Sequence, residues 1–164
     1  MANAQAATVE KPPVYLPPDR SEIIRVALVG AVTGAATGLL AWLIGRYFIE
    51  PVFCRTADSA GICSASGNIS FYVATVTVAI LAVVALARFA IYRPLVVAAA
   101  ATASLWGINN YLGRLSWLEY GLWLTLLFGV GYLLFYWLMR LRSLGWSLAV
   151  ALLAVALVRW LILL

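Results

Sequence analysis

Histidine is absent from this chain of 164 residues, and other groups that support chemistry in water are scarce. Without histidine, Ser-His-Asp catalysis and histidine-ligated metal sites are excluded. Charged residues make up 10% of the chain, whereas soluble domains carry about a quarter. The chain also has no glycine-rich nucleotide loop and no carboxylate pair in a shared pocket. We therefore expect no catalytic residue, cofactor or metal, and no enzymatic activity.

Apolar residues make up 65% of the chain, which is more than a soluble fold of this length can bury. They form five segments, each close to the ~20 residues that cross a ~30 Å hydrocarbon core. The pattern predicts an all-α integral membrane protein, a five-helix transmembrane bundle with helices at about 22–47, 69–91, 94–113, 117–140 and 145–164. Residues 1–20 form a Pro-rich tail, and residues 21–164 form a single transmembrane domain with an outer loop at 48–68. Asn68 is the expected N-cap of the second helix.

The basic residues are sorted between the two sides of this bundle. With a cytoplasmic N-terminus and an outside C-terminus, seven of the eleven lie inside and four outside. This bias follows the positive-inside rule. It predicts a multi-pass protein of the cell membrane. The use of arginine in place of lysine, with abundant alanine, leucine and valine, suggests a GC-rich bacterial genome, and so the bacterial inner membrane. The arginines stand at segment ends rather than in a cluster, so nucleic acid is not an expected partner.

Cys54 and Cys63, the only two cysteines, both fall in the predicted outer loop. An oxidising outer compartment allows disulfides, so we predict a Cys54–Cys63 bridge. The competing hypothesis is redox chemistry. It requires a second cysteine pair to pass electrons on, and the chain has none.

The first predicted helix carries Gly30, Gly34 and Gly38 at a spacing of four residues, with Gly45 seven residues further on. These spacings keep the glycines on one helical face. Missing side chains allow another helix backbone to approach closely. We therefore predict a helix-packing face whose partner is the second helix, the fifth helix or another chain.

Polar residues of the third predicted helix form a second group of candidates: Thr102, Ser104, Asn109 and Asn110. They either line a path for a solute or join helices by hydrogen bonds, and the second role is favoured. Glu119 and Arg159 lie near the outer boundary, so we predict an ion pair between them. Arg46 and Arg114 are alternative partners for Glu119.

Two functions of different class remain open. The favoured one is a non-enzymatic accessory or scaffold subunit, whose partners are the lipid bilayer and other membrane subunits, or a second copy bound through the first helix. The alternative is a small oligomeric channel or transporter whose path is lined by Asn109 and its neighbours and by the level of Glu119 and Arg159.

Overall fold

The computed structural model describes residues 19–54, 60–91, 93–140 and 144–163. Helices account for 88% of these residues, and no strand occurs among them, which confirms the all-α class. The elements are α1 (Arg20–Ile44), a π-helical segment (Gly45–Ile49), α2 (Glu50–Phe53), α3 (Ala60–Arg88), α4 (Pro94–Ser104), α5 (Asn109–Leu112), α6 (Trp117–Leu138) and α7 (Leu144–Leu163).

Three helical stretches of the described chain are long and apolar enough to cross a membrane: Arg20–Phe53, Cys63–Arg88 and Trp117–Leu138. Large apolar side chains point outward on the long helices; Leu39, Ile80 and Leu122 are more than 60% exposed. Water disfavours so much exposed apolar surface, whereas lipid accepts it. The predicted five full spans are not confirmed.

The third predicted helix, expected to run without interruption over 94–113, is broken. The helix α4 has 11 residues, or about 16 Å, roughly half of a ~30 Å hydrocarbon core. It ends at Ser104, and the chain then turns through Gly107, whose φ of 93° is readily adopted only by glycine. The prediction of one continuous helix was wrong because the apolar composition continues across this turn.

In the predicted outer loop at 48–68, the residues that the structure describes are also largely helical. The first helix continues through the π-helical segment to Phe53, and α3 already begins at Ala60. Asn68 therefore lies inside α3 instead of capping it, which corrects the prediction. The small residues of this stretch were interpreted as turn-forming, but they are equally compatible with a helix that packs closely.

Helix α1 lies at the centre of the bundle, packed against α6 on one side and α3 on the other. Both neighbours run antiparallel to it. The start of α1 meets the end of α6 through Glu22 and Arg140, and its end meets α3 where Gly45 lies near Ser70. The shared core is made mainly of aromatic and aliphatic side chains: Val26, Phe71, Leu86, Val97, Leu124, Phe128, Tyr132 and Phe135.

The bundle thus has two ends, which we name by one residue each. At the Arg140 end lie the starts of α1, α4 and α7 and the ends of α3 and α6, since Arg93 at the start of α4 bonds to Ser147 in α7. At the Asn109 end lie α5, the start of α6 and the early part of α3. Which end faces the cytoplasm stays a prediction. The Pro-rich tail falls outside the described residues, apart from Asp19 and Arg20 at its boundary.

Candidate functional site

The glycine face of α1 packs against α6, a partner that the sequence did not identify. A methyl group added at Gly34 would lie 2.3 Å from the carbonyl oxygen of Leu124, and one at Gly30 would lie 2.8 Å from Cβ of Tyr132. Neither position can accept a side chain while α6 stays in place. Gly38 has looser contacts with α6. This face is therefore occupied within the chain itself.

Gly45 differs from the other three glycines because its neighbour is α3. An added Cβ there would lie 3.3 Å from Oγ of Ser70, a tight contact that a small side-chain movement can relieve. The Ser70 hydroxyl itself donates to the carbonyl oxygen of Ser66 at 2.7 Å. Gly45 therefore permits a close approach of α3 without being strictly required for it.

A polar cluster at the Arg140 end joins the start of α1 to the end of α6. The hydroxyl of Tyr136 donates to Oε2 of Glu22 at 2.5 Å, and Nη1 of Arg140 donates to the same oxygen at 2.8 Å. Arg140 also donates to the Tyr136 hydroxyl and lies over its ring, 5.2 Å from the centroid. The Arg140 side chain is only 12% exposed, so the carboxylate of Glu22 compensates a charge that is largely removed from solvent.

The predicted ion pair between Glu119 and Arg159 is not formed in the structure. Glu119 instead completes a capping box at the start of α6: its carboxylate accepts from the backbone N–H of Ser116 at 3.2 Å and from the Ser116 hydroxyl at 3.0 Å. Glu119 is the third residue of α6, where a carboxylate can reach back to the N-cap. Among the described residues, ion pairs join Arg46 to Glu50 and Arg140 to Glu22.

The Glu22–Arg140 pair was missed although a signal for it was present. The charge distribution predicted both residues at the same side of the membrane. A carboxylate and a guanidinium at one depth are natural partners. The helix register that brings them together depends on the α1–α6 contact, which sequence reasoning did not identify.

A second polar cluster lies at the Asn109 end and joins α3, α5 and α6. Nδ2 of Asn109 donates to Oδ1 of Asn68 at 2.6 Å, and the Tyr120 hydroxyl donates to Oδ1 of Asn109 at 2.9 Å. Close by, the rings of Tyr72 and Trp106 are stacked with their centroids 4.6 Å apart. Asn109, in α5, thus connects α3 and α6 through its side-chain amide.

The other polar candidates of the third predicted helix do not share a surface with Asn109. The Ser104 hydroxyl donates to the carbonyl oxygen of Ala101, one turn earlier in the same helix. Asn110 is exposed. Thr102 is buried at 8% exposure. The structure therefore does not assemble these residues into one continuous polar lining.

Three buried hydroxyls in the described part of the bundle form no hydrogen bond of good geometry: those of Thr37, Thr102 and Tyr132. The Tyr132 hydroxyl lies beside those of Thr33 and Thr102, while Thr33 donates to the carbonyl oxygen of Val29 at 2.7 Å. Buried polar groups usually find a partner. Tyr132 and Thr102 therefore place two hydroxyls without a well-formed hydrogen bond near each other in the core.

A groove of about 360 Å³ runs between α3 and α4 on the exposed surface of the bundle, away from its core. Its lining is apolar except for Thr102, and α4 contributes mainly small side chains to it. The lining includes Val76, Ala79, Ile80, Leu95, Ala99 and Ala103. Small residues at such a surface allow another helix backbone to approach closely.

Cys54 and Cys63 are joined by a disulfide with a Cα–Cα distance of 5.5 Å. Cys54 directly follows α2, and Cys63 lies in the first turns of α3. The bridge thus connects the extension of the first helix to the extended start of α3.

No group of three or more potential metal ligands occurs among the described residues. No protein-family model, curated protein or solved structure matches this chain. Its candidate function therefore rests on the geometry described above.

Proposed function

We propose that this protein is a non-enzymatic accessory or scaffold subunit of a membrane complex. The observation that carries the proposal is the apolar groove between α3 and the half-length helix α4. A neighbouring transmembrane helix from another subunit would fill this groove and cover the short α4.

The small side chains of α4 support a helix as the occupant. Ala99 and Ala103 are four residues apart in the groove, the spacing at which two helices pack closely in membranes. In lipid, association depends on such close van der Waals contact, because lipid chains are as apolar as the helix surface.

The polar contacts of the bundle support a structural role as well. Glu22 at one end and Asn109 at the other both use their side chains for hydrogen bonds between helices. Gly30 and Gly34 are covered by α6. The glycine face of α1 is therefore already filled, and the surface that we propose for a partner or a second copy is the α3–α4 groove.

Photo-crosslinking in native membranes tests this proposal. A photoreactive residue at Ala99 is expected to give one discrete adduct with a second membrane protein, and Ala103→Leu, which fills the groove, is expected to abolish it. The control position is Ala35, which is exposed on α1 and outside the groove. Adducts with lipid alone at both positions would contradict the proposal.

The alternative, a small oligomeric channel or transporter, draws on the buried hydroxyls of Thr102 and Tyr132, which have no good hydrogen-bond partner in the described bundle. Such groups are suited to contact water or a polar solute. Flux through reconstituted protein that is unchanged by Tyr132→Phe, Asn109→Leu and Glu119→Gln would rule this function out.

A further inference from the structure

The Arg140 end of the bundle carries an excess of positive charge. Its described residues include five arginines, Arg20, Arg25, Arg88, Arg93 and Arg140, against the two carboxylates of Asp19 and Glu22. Glu22 is paired with Arg140, and Nη1 of Arg93 donates to the Ser147 hydroxyl at 2.6 Å. Arg20, Arg25 and Arg88 are exposed.

Arg25 and Arg88 belong to the place where the start of α1 meets the end of α3. The guanidinium of Arg25 lies over the ring of Phe89, 5.9 Å from its centroid, and Arg88 directly precedes that ring. The contact is a cation–π interaction, which holds the Arg25 side chain at the junction of the two helices.

The turn from α3 to α4 fixes this region further. Ala90 and Arg93 have φ values of 54° and 55°, a left-handed conformation that residues other than glycine seldom adopt. At Ala90 this conformation ends α3 in a common way: the N–H of Ile91 donates to the carbonyl oxygen of Leu86 at 3.1 Å, and the N–H of Ala90 donates to that of Ala87 at 3.0 Å. These hydrogen bonds close a tight turn directly after Arg88.

The remaining carboxylate at this end is only a partial counter-charge. Oδ2 of Asp19 accepts a hydrogen bond from the Ser21 hydroxyl at 2.6 Å, which is the main reason that the pKa of Asp19 is lowered. The positive charge of Arg25 and the backbone N–H of Arg20 lower the pKa of Asp19 further. Among the described residues at this end, the arginines thus outnumber the carboxylates, and an anion would offset the excess positive charge.

We propose that the junction of α1 and α3, with Arg25 and Arg88 as its cationic groups, binds the headgroup of an anionic phospholipid. The guanidinium group matches a phosphate with two parallel hydrogen bonds. Basic pockets between transmembrane helices bind anionic headgroups in the same way. The apolar surfaces of α1 and α3 then lie beside the acyl chains. The proposal is independent of the protein's role as an accessory subunit.

Lipid retention by the detergent-solubilised full-length protein tests the proposal, because in micelles both ends of the bundle are accessible and membrane orientation plays no part. The protein is mixed with phosphatidylglycerol or with phosphatidylcholine of the same chain length, and retained lipids are counted by native mass spectrometry. The wild type is expected to retain more phosphatidylglycerol than phosphatidylcholine. In R25Q/R88Q, the ratio of the two retained lipids is expected to fall about fivefold for each arginine removed.

The matched control is R46Q/R114Q, which removes the same charge at the Asn109 end and should leave the preference unchanged. R25K/R88K keeps the charge but loses the planar fork, so an intermediate preference is expected. If R25Q/R88Q does not fold, the single variants R25Q and R88Q supply the same comparison.

Three results would overturn the proposal. They are equal retention of both lipids by the wild type, an unchanged preference in R25Q/R88Q, and an equal loss in R46Q/R114Q. Displacement of the lipid by inorganic phosphate at the same concentration would also overturn it, since the site would then select a free anion.

Discussion

Glu22 and Arg140 are 118 residues apart in the sequence, yet their side chains lie 2.8 Å apart and join the first turn of α1 to the end of α6. Replacing Glu22 with Gln keeps the shape but exchanges charge-assisted hydrogen bonds for neutral ones. We expect a loss of about 1 kcal/mol in the free energy of unfolding, measured by denaturant titration in mixed micelles.

The control for this prediction is Glu50→Gln in the other ion pair. Arg46 and Glu50 have side chains that are 65% and 51% exposed, and such surface pairs contribute little. If the two substitutions lowered the free energy of unfolding equally, the Glu22–Arg140 pair would contribute no more to stability than an exposed ion pair.

Gly34 is the position at which the α1–α6 contact is tightest. In Gly34→Ala the new methyl group would meet the Leu124 carbonyl, so the helices must separate, and we expect a loss of about 1–3 kcal/mol in the free energy of unfolding. Gly121→Ala is the matched control, because no atom of another helix lies within 4 Å of its added Cβ. A Gly34→Ala variant as stable as Gly121→Ala would contradict the packing described here.

Asn109 and Asn110 are neighbours in sequence but differ in surroundings, which makes them a natural pair for comparison. Asn109→Leu leaves Asn68 and Tyr120 without their shared partner, and we expect a loss of about 1–3 kcal/mol. Asn110→Leu alters an exposed side chain and should change stability by less than about 0.5 kcal/mol. Thermal unfolding in detergent measures both, and equal melting temperatures would argue against the Asn109 cluster.

The Cys54–Cys63 disulfide closes a short loop between two helices. In the chain-entropy model, such a loop contributes about 2–3 kcal/mol to stability. A reductant should therefore lower the melting temperature of the wild type, while the double variant Cys54→Ser/Cys63→Ser melts at the lower temperature with or without it. If a reductant left the melting temperature of the wild type unchanged, the disulfide would not contribute to stability.

The helical class and most helix boundaries follow from apolar composition, and α6 begins at Trp117 as predicted. In the sequence, Gly107 was the only local sign of the break in the third predicted helix. Hydropathy does not distinguish a continuous helix from two helices joined by an apolar turn. The early start of α3 was missed because residues 60–68 are small and polar, as turns often are.

The candidate sites show the same division between local and long-range information. The spacing of Gly30, Gly34 and Gly38 predicts a packing face, since that depends on helical periodicity alone. The identity of the partner helix and the pairing of Glu22 with Arg140 depend on the relative position of two helices far apart in the chain. Helical periodicity and charge counts do not reveal how two such helices are placed relative to each other.

The proposed role as an accessory subunit is tested most directly by native mass spectrometry of the protein extracted from its own membrane in a gentle detergent. We predict a complex that contains at least one different subunit in fixed stoichiometry and that dissociates in Ala99→Leu, which fills the α3–α4 groove, but not in Ala35→Leu. A protein that is recovered only as a monomer or homo-oligomer under these conditions would contradict the account.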